Sequence, residues 1–479
     1  MSILQKTFFL LILLCGFFGL AKNSEAAVCT HYVSPTGSAS WANATNISTP
    51  TDIVTAFHNA TAGNVVCFRG GTYNHNYVQQ SDYDQQELQP NHSGTSSNWI
   101  TFQAYPGETP VINIIGTDNS GTFAGYVASA IGVYLQSYIV FDGLHIINDG
   151  GVHHPRIHIG AAAEYDPPHS TGNVIIKNCD INGGSTILPA LHDNSEDIRL
   201  DSASHVTIQN NRIYNSRTSD DYHNSSAIKT YNTDHTVVKN NEIYNNSNGV
   251  YFKRDCQQCE ISYNYIHDNY EGGYFQQYNT NWEQADLLVY QNVWANNAYL
   301  NMDMDNDQSE GAVSNDWLVY NNTWWNSTGG MSFMGTAQGH GATFYNNIVG
   351  ASSFLLSGAG SSYLKAEDHN LFNTSSFDIF LRSGGGRTDY YSLASWQASA
   401  ELDGGGHPGA NDSVSAVSFT NGSGNYSLLS DFALQSGSPA KGTGRSGADM
   451  GANISLVGIQ GGGSSDIVPP ASPTGLSVS

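Results

Sequence analysis

Positive charge is scarce in this 479-residue chain, whose 17 Lys and Arg stand against 41 Asp and Glu for a net charge of −24. A nucleic acid or an anionic membrane surface needs a basic face, so both are excluded as partners. Long helix-forming stretches of Ala, Leu, Glu and Lys are absent, while Gly (50), Tyr (27) and Asn are abundant, so the chain is expected to be mostly β. Continuous apolar runs are missing after the first residues. The run Thr7 to Ala21 is short for a bilayer, follows Lys6 and precedes Ser24, Ala26 and Ala27, which reads as a signal peptide over residues 1–26. The expectation is a secreted protein, extracellular or periplasmic, with no membrane partner.

Cysteine is also sparse. Five remain after such processing, and in an oxidising compartment Cys29 and Cys67, on what read as the first two strands, are expected to pair. Cys256 and Cys259 form a CQQC with no second pair nearby, which favours a local disulfide over zinc. Cys179 is left as a buried thiol.

What the chain does contain is a repeat. NVIIKNCDI from Asn173, HVTIQNNRI from His205, HTVVKNNEI from His235, CEISYNYI from Cys259, DLLVYQNVW from Asp286, DWLVYNNTW from Asp316 and GATFYNNIV from Gly341 align. Asn211, Asn241, Asn264, Asn292, Asn322 and Asn347 then share one column at steps of 30, 23, 28, 30 and 25 residues. Each step is one coil. Alternating apolar residues point inward and stack on the coil above, and the asparagines, at a bend that tolerates left-handed backbone, bond to one another as a ladder. A propeller or sandwich would need close hairpin signals that most intervals lack. YIVFDGLHIIN from Tyr138 fits one coil earlier. The fold class expected is all-β, a single-stranded right-handed parallel β-helix solenoid with an N-terminal cap and an Asn ladder.

The β-helix domain with its end caps is expected over residues 27–460. Its open ends need caps, and a short helix around Asp52 to Ala60 would supply the first. YVSPTGS with TPTDIVTAFHNATAGNVVCFRGGTY resembles the opening of many secreted bacterial β-helix proteins, polysaccharide lyases among them, and DFALQSGSPAKGTGRSGADMGAN from Asp431 resembles their closing segment. Residues 461–479, GGGSSDIVPPASPTGLSVS, read as a Gly/Ser/Pro-rich linker or the stub of a fibronectin type III-like module.

The few cations are not evenly spread: eight lie between Lys177 and Arg254, and none from Asp255 to Leu364. Counting back from the asparagine column sets Arg199, Lys229 and Lys253 or Arg254 at nearly one position of three consecutive coils, followed by Gln276 or Gln277 and then Asp303 and Asp305. Stacked cations lower a lysine's pKa and make it a base, which suits β-elimination on a uronic-acid polymer, with an arginine to clamp the carboxylate. FKRDCQQCEISYNYI is similar to the arginine-bearing coil of the alginate lyase and chondroitinase B family, and AIKTYN to its lysine-bearing strand. The resemblance implies a polysaccharide lyase with Arg254 as catalytic arginine, Lys229 as base and Lys253 beside them. That family's calcium-binding glutamates have no counterpart here, Ser226 and Ala227 standing in their place.

Arg199, Gln276 and, from the excursion SRTSDDYHNSS, Tyr222 and His223 are expected to bind substrate, one of the latter two protonating the leaving oxygen. Tyr251, Tyr274, Tyr278, Trp282 and Trp294 are candidates for stacking on sugar rings. The blander reading of the cations is a solvated face paired with Asp201, Asp234 and Asp255. Asp303, Asp305 and Asp307 form a second cluster, its first two about 6.6 Å apart along a strand; they suit either the paired carboxylates of a glycoside hydrolase or a calcium ion, the one cofactor left open. The function expected is therefore a secreted polysaccharide-degrading enzyme, a lyase first and a hydrolase as the alternative, with a non-catalytic carbohydrate-binding surface protein as the third reading. Closed coils with capped ends need no second subunit, so a monomer is expected.

Overall fold

Alternation of apolar and polar residues in segments of three to ten residues gives strands, and the recurring turns make them stack in parallel. In the computed structural model the described residues are 28–460 apart from 77–87, 116–128, 149–154, 161–170, 185–195, 220, 222–224, 278–282, 307–312, 316, 328–329, 336–341, 351–353, 359–363, 374–378, 384–385, 401, 403–404 and 422–425. Cys29–Ile459 is one compact unit. The expected segments 1–26 and 461–479 lie outside the described residues, as do Tyr222, His223 and Asp307.

One coil shows the plan. The strand Ile198–Asp201 belongs to a second sheet, Ala203–Gln209 to a first and Arg212–Tyr214 to a third, after which the chain returns to the second sheet at Ser226–Asp234. Each pairs in parallel with its equivalent in neighbouring coils: Leu200 with Thr230, Ile208 with Val238, Ile213 with Ile243. Among the described residues the first and second sheets are two faces of one continuous 23-stranded sheet, which bends within strands such as Ser226–Asp234, and the third is a separate 12-stranded sheet; the three faces wrap one apolar core, a parallel β-helix. In the third sheet one inward column runs Ile146, Ile181, Ile213, Ile243, Ile266, Trp294 and Trp324, all fully buried. Opposite the first tryptophan the second sheet carries Gly273, where a Cβ would come within 2.9 Å of the Trp294 ring. Trp294 is therefore core, not a sugar platform.

The asparagine column forms a ladder. The backbone N–H of Asn211 donates to Oδ1 of Asn241, and the pattern repeats through Asn264, Asn292, Asn322, Asn347 and Asn370 to Asp412, at 2.7–3.1 Å. The left-handed residue is the one before each rung, Asn210, Asn240, Tyr263, Gln291, Asn321, Asn346 and His369 at φ +54° to +58° being the correction. The turn places the preceding residue in the strained region so that the rung's amide can face inward and bond along the axis. A second ladder, unforeseen, follows the third sheet from Ser216 through Asn246 and Asn269 to Asn297.

The caps follow from apolar end surface. The helix Ile53–Asn59, its first turn capped by Asp52 accepting from the Thr55 N–H at 2.7 Å, lays Phe57 on Phe102 with ring centroids 4.5 Å apart. The segment from Asp431 does not close the far end. It runs back along the outside, held by Asn240 to Leu456 and Asn321 to Asp449 and Gly451. Both expected disulfides, Cys29–Cys67 and Cys256–Cys259, are formed, and Cys179 is a buried thiol, its pKa pushed up to about 12 by burial.

The ladder ends on an acid pair. Asp412 Oδ1 accepts from the Asn370 N–H, and Glu367 beside it accepts from Asn370 Nδ2 at 2.8 Å and from the Trp396 indole at 3.2 Å. Burial pushes both carboxyls up, and Asp412 pushes Glu367 up further, while the contact with Glu367 pulls Asp412 partly back. Because the folded pKa is raised, this stability is present below the unfolded value and lost as pH rises through the folded one. Asp412→Asn keeps the acceptor and supplies the shared hydrogen. The thermal midpoint of the variant should hold at alkaline pH where that of the native chain falls.

Candidate functional site

The second sheet's outer face carries the expected cations, but in two columns rather than one. Pairing sets His158, Arg199, Lys229, Tyr251, Tyr274 and Asp303 in the first, and Asp201, Tyr231, Lys253, Gln276 and Asp305 in the second. Lys253 is opposite Tyr231, not Lys229. The register expected from the asparagine column slips because Asn232 faces two residues, Arg254 and Asp255, before Thr233 pairs with Cys256. At this bulge Arg254 adopts φ +66°, a left-handed conformation that costs a non-glycine residue about 1–2 kcal/mol, and the Cys256–Cys259 disulfide follows at once.

This face is not solvated. Arg199, Lys229, Asp201, Glu196 and His158 are all buried, at 0–4% exposure, so the reading of Arg199 as a solvated or directly substrate-binding charge gives way to an internal ion cluster. Lys229 Nζ lies 3.0 Å from Glu196 Oε1, which also faces Arg199 Nη1 at 3.6 Å. Arg199 Nε donates to Asp201 Oδ2 at 2.7 Å, and His158 Nε2 lies 2.9 Å from the same oxygen. Buried charges persist only in such company. Of the pairings in the blander reading, Arg199 with Asp201 is realised; the Asp255 side chain lies outside the described residues.

All four cations gather about one phenol. Arg199 is 4.7 Å, Lys229 4.9 Å, Lys253 5.2 Å and Arg254 5.4 Å from the Tyr231 ring centre. Lys253 and Arg254 are half-buried and reach solvent. Burial pushes the Lys229 ammonium down, Glu196 pulls it back and Arg199 pushes it down again, leaving about 8. Burial, more than the stacking of cations, sets this value. Lys253 is lowered for the same first reason. Asp201 is pushed up by burial, but Arg199 and His158 outweigh that and hold it at about 2. Sequence reasoning missed Tyr231, Glu196 and His158. Tyr231 was signalled by its place two residues after Lys229, on the same face of the strand.

Next to the cations, the Tyr251 hydroxyl donates to Gln276 Oε1 at 2.5 Å, and Tyr251 and Tyr274 lie 4.9 Å apart. Both tyrosines are at most 5% exposed, so they wall the cluster and are not exposed stacking platforms; Tyr278 and Trp282 lie outside the described residues. Asp303, 8% exposed, continues the Lys229 column beyond Tyr274, and Asp305 continues the other. The side chain of Asp305 is outside the described residues. Glu196 and Asp201 are held by Arg199, Lys229 and His158, a donor set already neutralised and unsuited to a divalent ion. Of the three carboxylates expected to hold calcium, Asp303 is the one whose side chain is described.

A family model described as the right handed beta helix region matches residues 122–302, which include every cation of this cluster. The chain is a right-handed parallel β-helix. Among solved structures, this β-helix is similar to pectate lyase Pel9A, at 16% identity and a TM-score of 0.52 over 90% of this chain and 97% of that one. XylC in complex with xylose follows at 14% identity, covering 80% and 75% of the two chains with a TM-score of 0.45. The GH136 lacto-N-biosidase from Eubacterium ramulus is 13% identical, with 81% and 68% covered and a TM-score of 0.37. A sequence search of curated proteins finds no match. Among the described residues no helix is long and apolar enough to cross a membrane.

Proposed function

We propose that this β-helix is a secreted polysaccharide lyase that cleaves a uronic-acid polymer by β-elimination at the Tyr231 cluster. The observation that carries the reading is the gathering of Arg199, Lys229, Lys253 and Arg254 around one phenol in a chain of net charge −24. An anionic polymer would be repelled elsewhere and drawn here. The pectate lyase's similarity in fold agrees with a polysaccharide substrate but does not choose the reaction.

In this reading Arg254 and Lys253, at the rim, take the substrate carboxylate and stabilise the charge that grows on it. Lys229, as the neutral amine, accepts the proton α to that carboxylate; the electron pair forms the double bond and the bond to the β leaving oxygen breaks. Tyr231, whose hydroxyl lies 3.5 Å from Lys253 Nζ, is placed to return a proton to that oxygen. Enclosure and base strength are linked: the burial that hides Lys229 is what brings its pKa near neutrality, and the reading requires substrate to displace the 3.0 Å Glu196 contact to reach it. Asp303 and any calcium it holds are kept for binding.

A panel of alginate, pectate, glycosaminoglycans and neutral glycans tests this through the ultraviolet absorbance of unsaturated uronate. Absorbance should rise on at least one anionic polymer and on no neutral one, and fall at least about tenfold in Arg254→Ala. Absorbance on none of them, in protein shown to be folded, overturns the assignment.

The pH dependence carries a second expectation. A lysine base works when neutral, so kcat/KM should rise with pH through about 8. Glu196 holds the proton on Lys229, and Glu196→Gln should move that acidic limb to lower pH. A limb that does not move would show that Lys229 is not the titrating base.

A further inference from the structure

We propose that His205, Asp234 and His235 form a binding site for a divalent transition-metal ion of the zinc, nickel or copper type, on the outer surface at the turn between the second and first sheets. One ligand atom from each lies within 4.8 Å of those of the other two. The solenoid produces this placement. Ser204 pairs with Asp234, so His205 and His235 hold the same position in consecutive coils, and their rings stack 4.4 Å apart at 7°. Asp234 Oδ2 lies 3.4 Å from His235 Nδ1, while its Oδ1 is buried and accepts no hydrogen bond among the described residues.

The backbone fixes both imidazoles in the same attitude. His205 and His235 sit at φ +54° and +49°, the conformation this turn also imposes on Asn173 one coil earlier, at φ +53°. Two nitrogens on one zinc ion are at most about 4.2 Å apart and each binds along a lone pair in its ring plane, so closure requires the two side chains to turn out of their stack and tilt toward a common point. Two neutral imidazoles and a carboxylate suit borderline ions and hold calcium or magnesium poorly. The exposed position leaves the remaining coordination to water.

An ion held here would join two coils through residues 30 apart in sequence and so stabilise the stack. Asp234 follows Lys229 by five residues on one strand, about 16 Å along, which keeps the ion away from the cation cluster. The inference therefore does not depend on the lyase reading.

Zinc chloride titrated into the whole protein at neutral pH, followed by calorimetry and by the thermal midpoint, tests the site. His205→Asn, His235→Asn and Asp234→Asn are the variants, since asparagine tolerates the left-handed backbone that Asn173 already shows. The native chain should bind one zinc at this site and gain about 2–4 °C at saturation. Each variant should lose at least about tenfold in affinity together with that gain, and a millimolar excess of calcium should leave the zinc isotherm unchanged. No zinc binding, or binding of equal strength in the His205→Asn/His235→Asn double variant, overturns the proposal.

Discussion

Lys229→Ala should lower kcat/KM for formation of unsaturated uronate by about 10²–10⁴, the range that loss of a general base commands. The same change leaves Glu196 in the interior without its nearest cation, Arg199 Nη1 being 3.6 Å away, and removing one partner of a buried pair costs about 3–5 kcal/mol. A fall in activity could then be a fall in folded protein. Lys229→Met combined with Glu196→Gln removes both charges at similar volume and should restore the thermal midpoint while leaving activity lost. Recovery of activity in the double variant would remove Lys229 from the chemistry and leave it a structural charge.

Asn292→Ala should cost stability on a comparable scale, with no direct effect on the cation cluster. Asn292 Oδ1 accepts from both the backbone N–H and Nδ2 of Asn264, at 2.9 and 3.0 Å. Its own Nδ2 faces Ile261 O, Tyr290 O and Asn322 Oδ1. Truncation strands two donors and several acceptors where water does not reach, at about 1–3 kcal/mol for each group left unmet. A loss of at least about 3 kcal/mol is expected from denaturant unfolding of the native chain and variant. A loss below about 1 kcal/mol would mean that the ladder is a consequence of the stack and not one of its supports.

The fold was legible because repetition reports itself. A rung of the ladder is one residue type at one place, and the apolar alternation around it fixes the first and third sheets, so the coils from Asn211 to Asn347 and the two disulfides follow from the sequence alone. Left-handed turn residues were harder, since Tyr263 and Gln291 serve there as well as Asn210 and Asn240. The turn needs a backbone shape and leaves the side chain open. In the second sheet the extra residue at Arg254–Asp255 breaks the count from the asparagines, which put Lys253 in the wrong column. Burial of the outer face was not legible at all. Glu196, His158 and Lys229 meet across three coils, and no local spacing announces that a lysine will find its carboxylate 33 residues upstream.

The most direct test of elimination at this cluster counts products. Digesting a responsive polyuronate with the native protein, and measuring absorbing double bonds and new reducing ends in the same sample, should give one double bond for each reducing end. New reducing ends without absorbance would be hydrolysis, which contradicts the assignment to Lys229 and moves the chemistry to the carboxylates at Asp303.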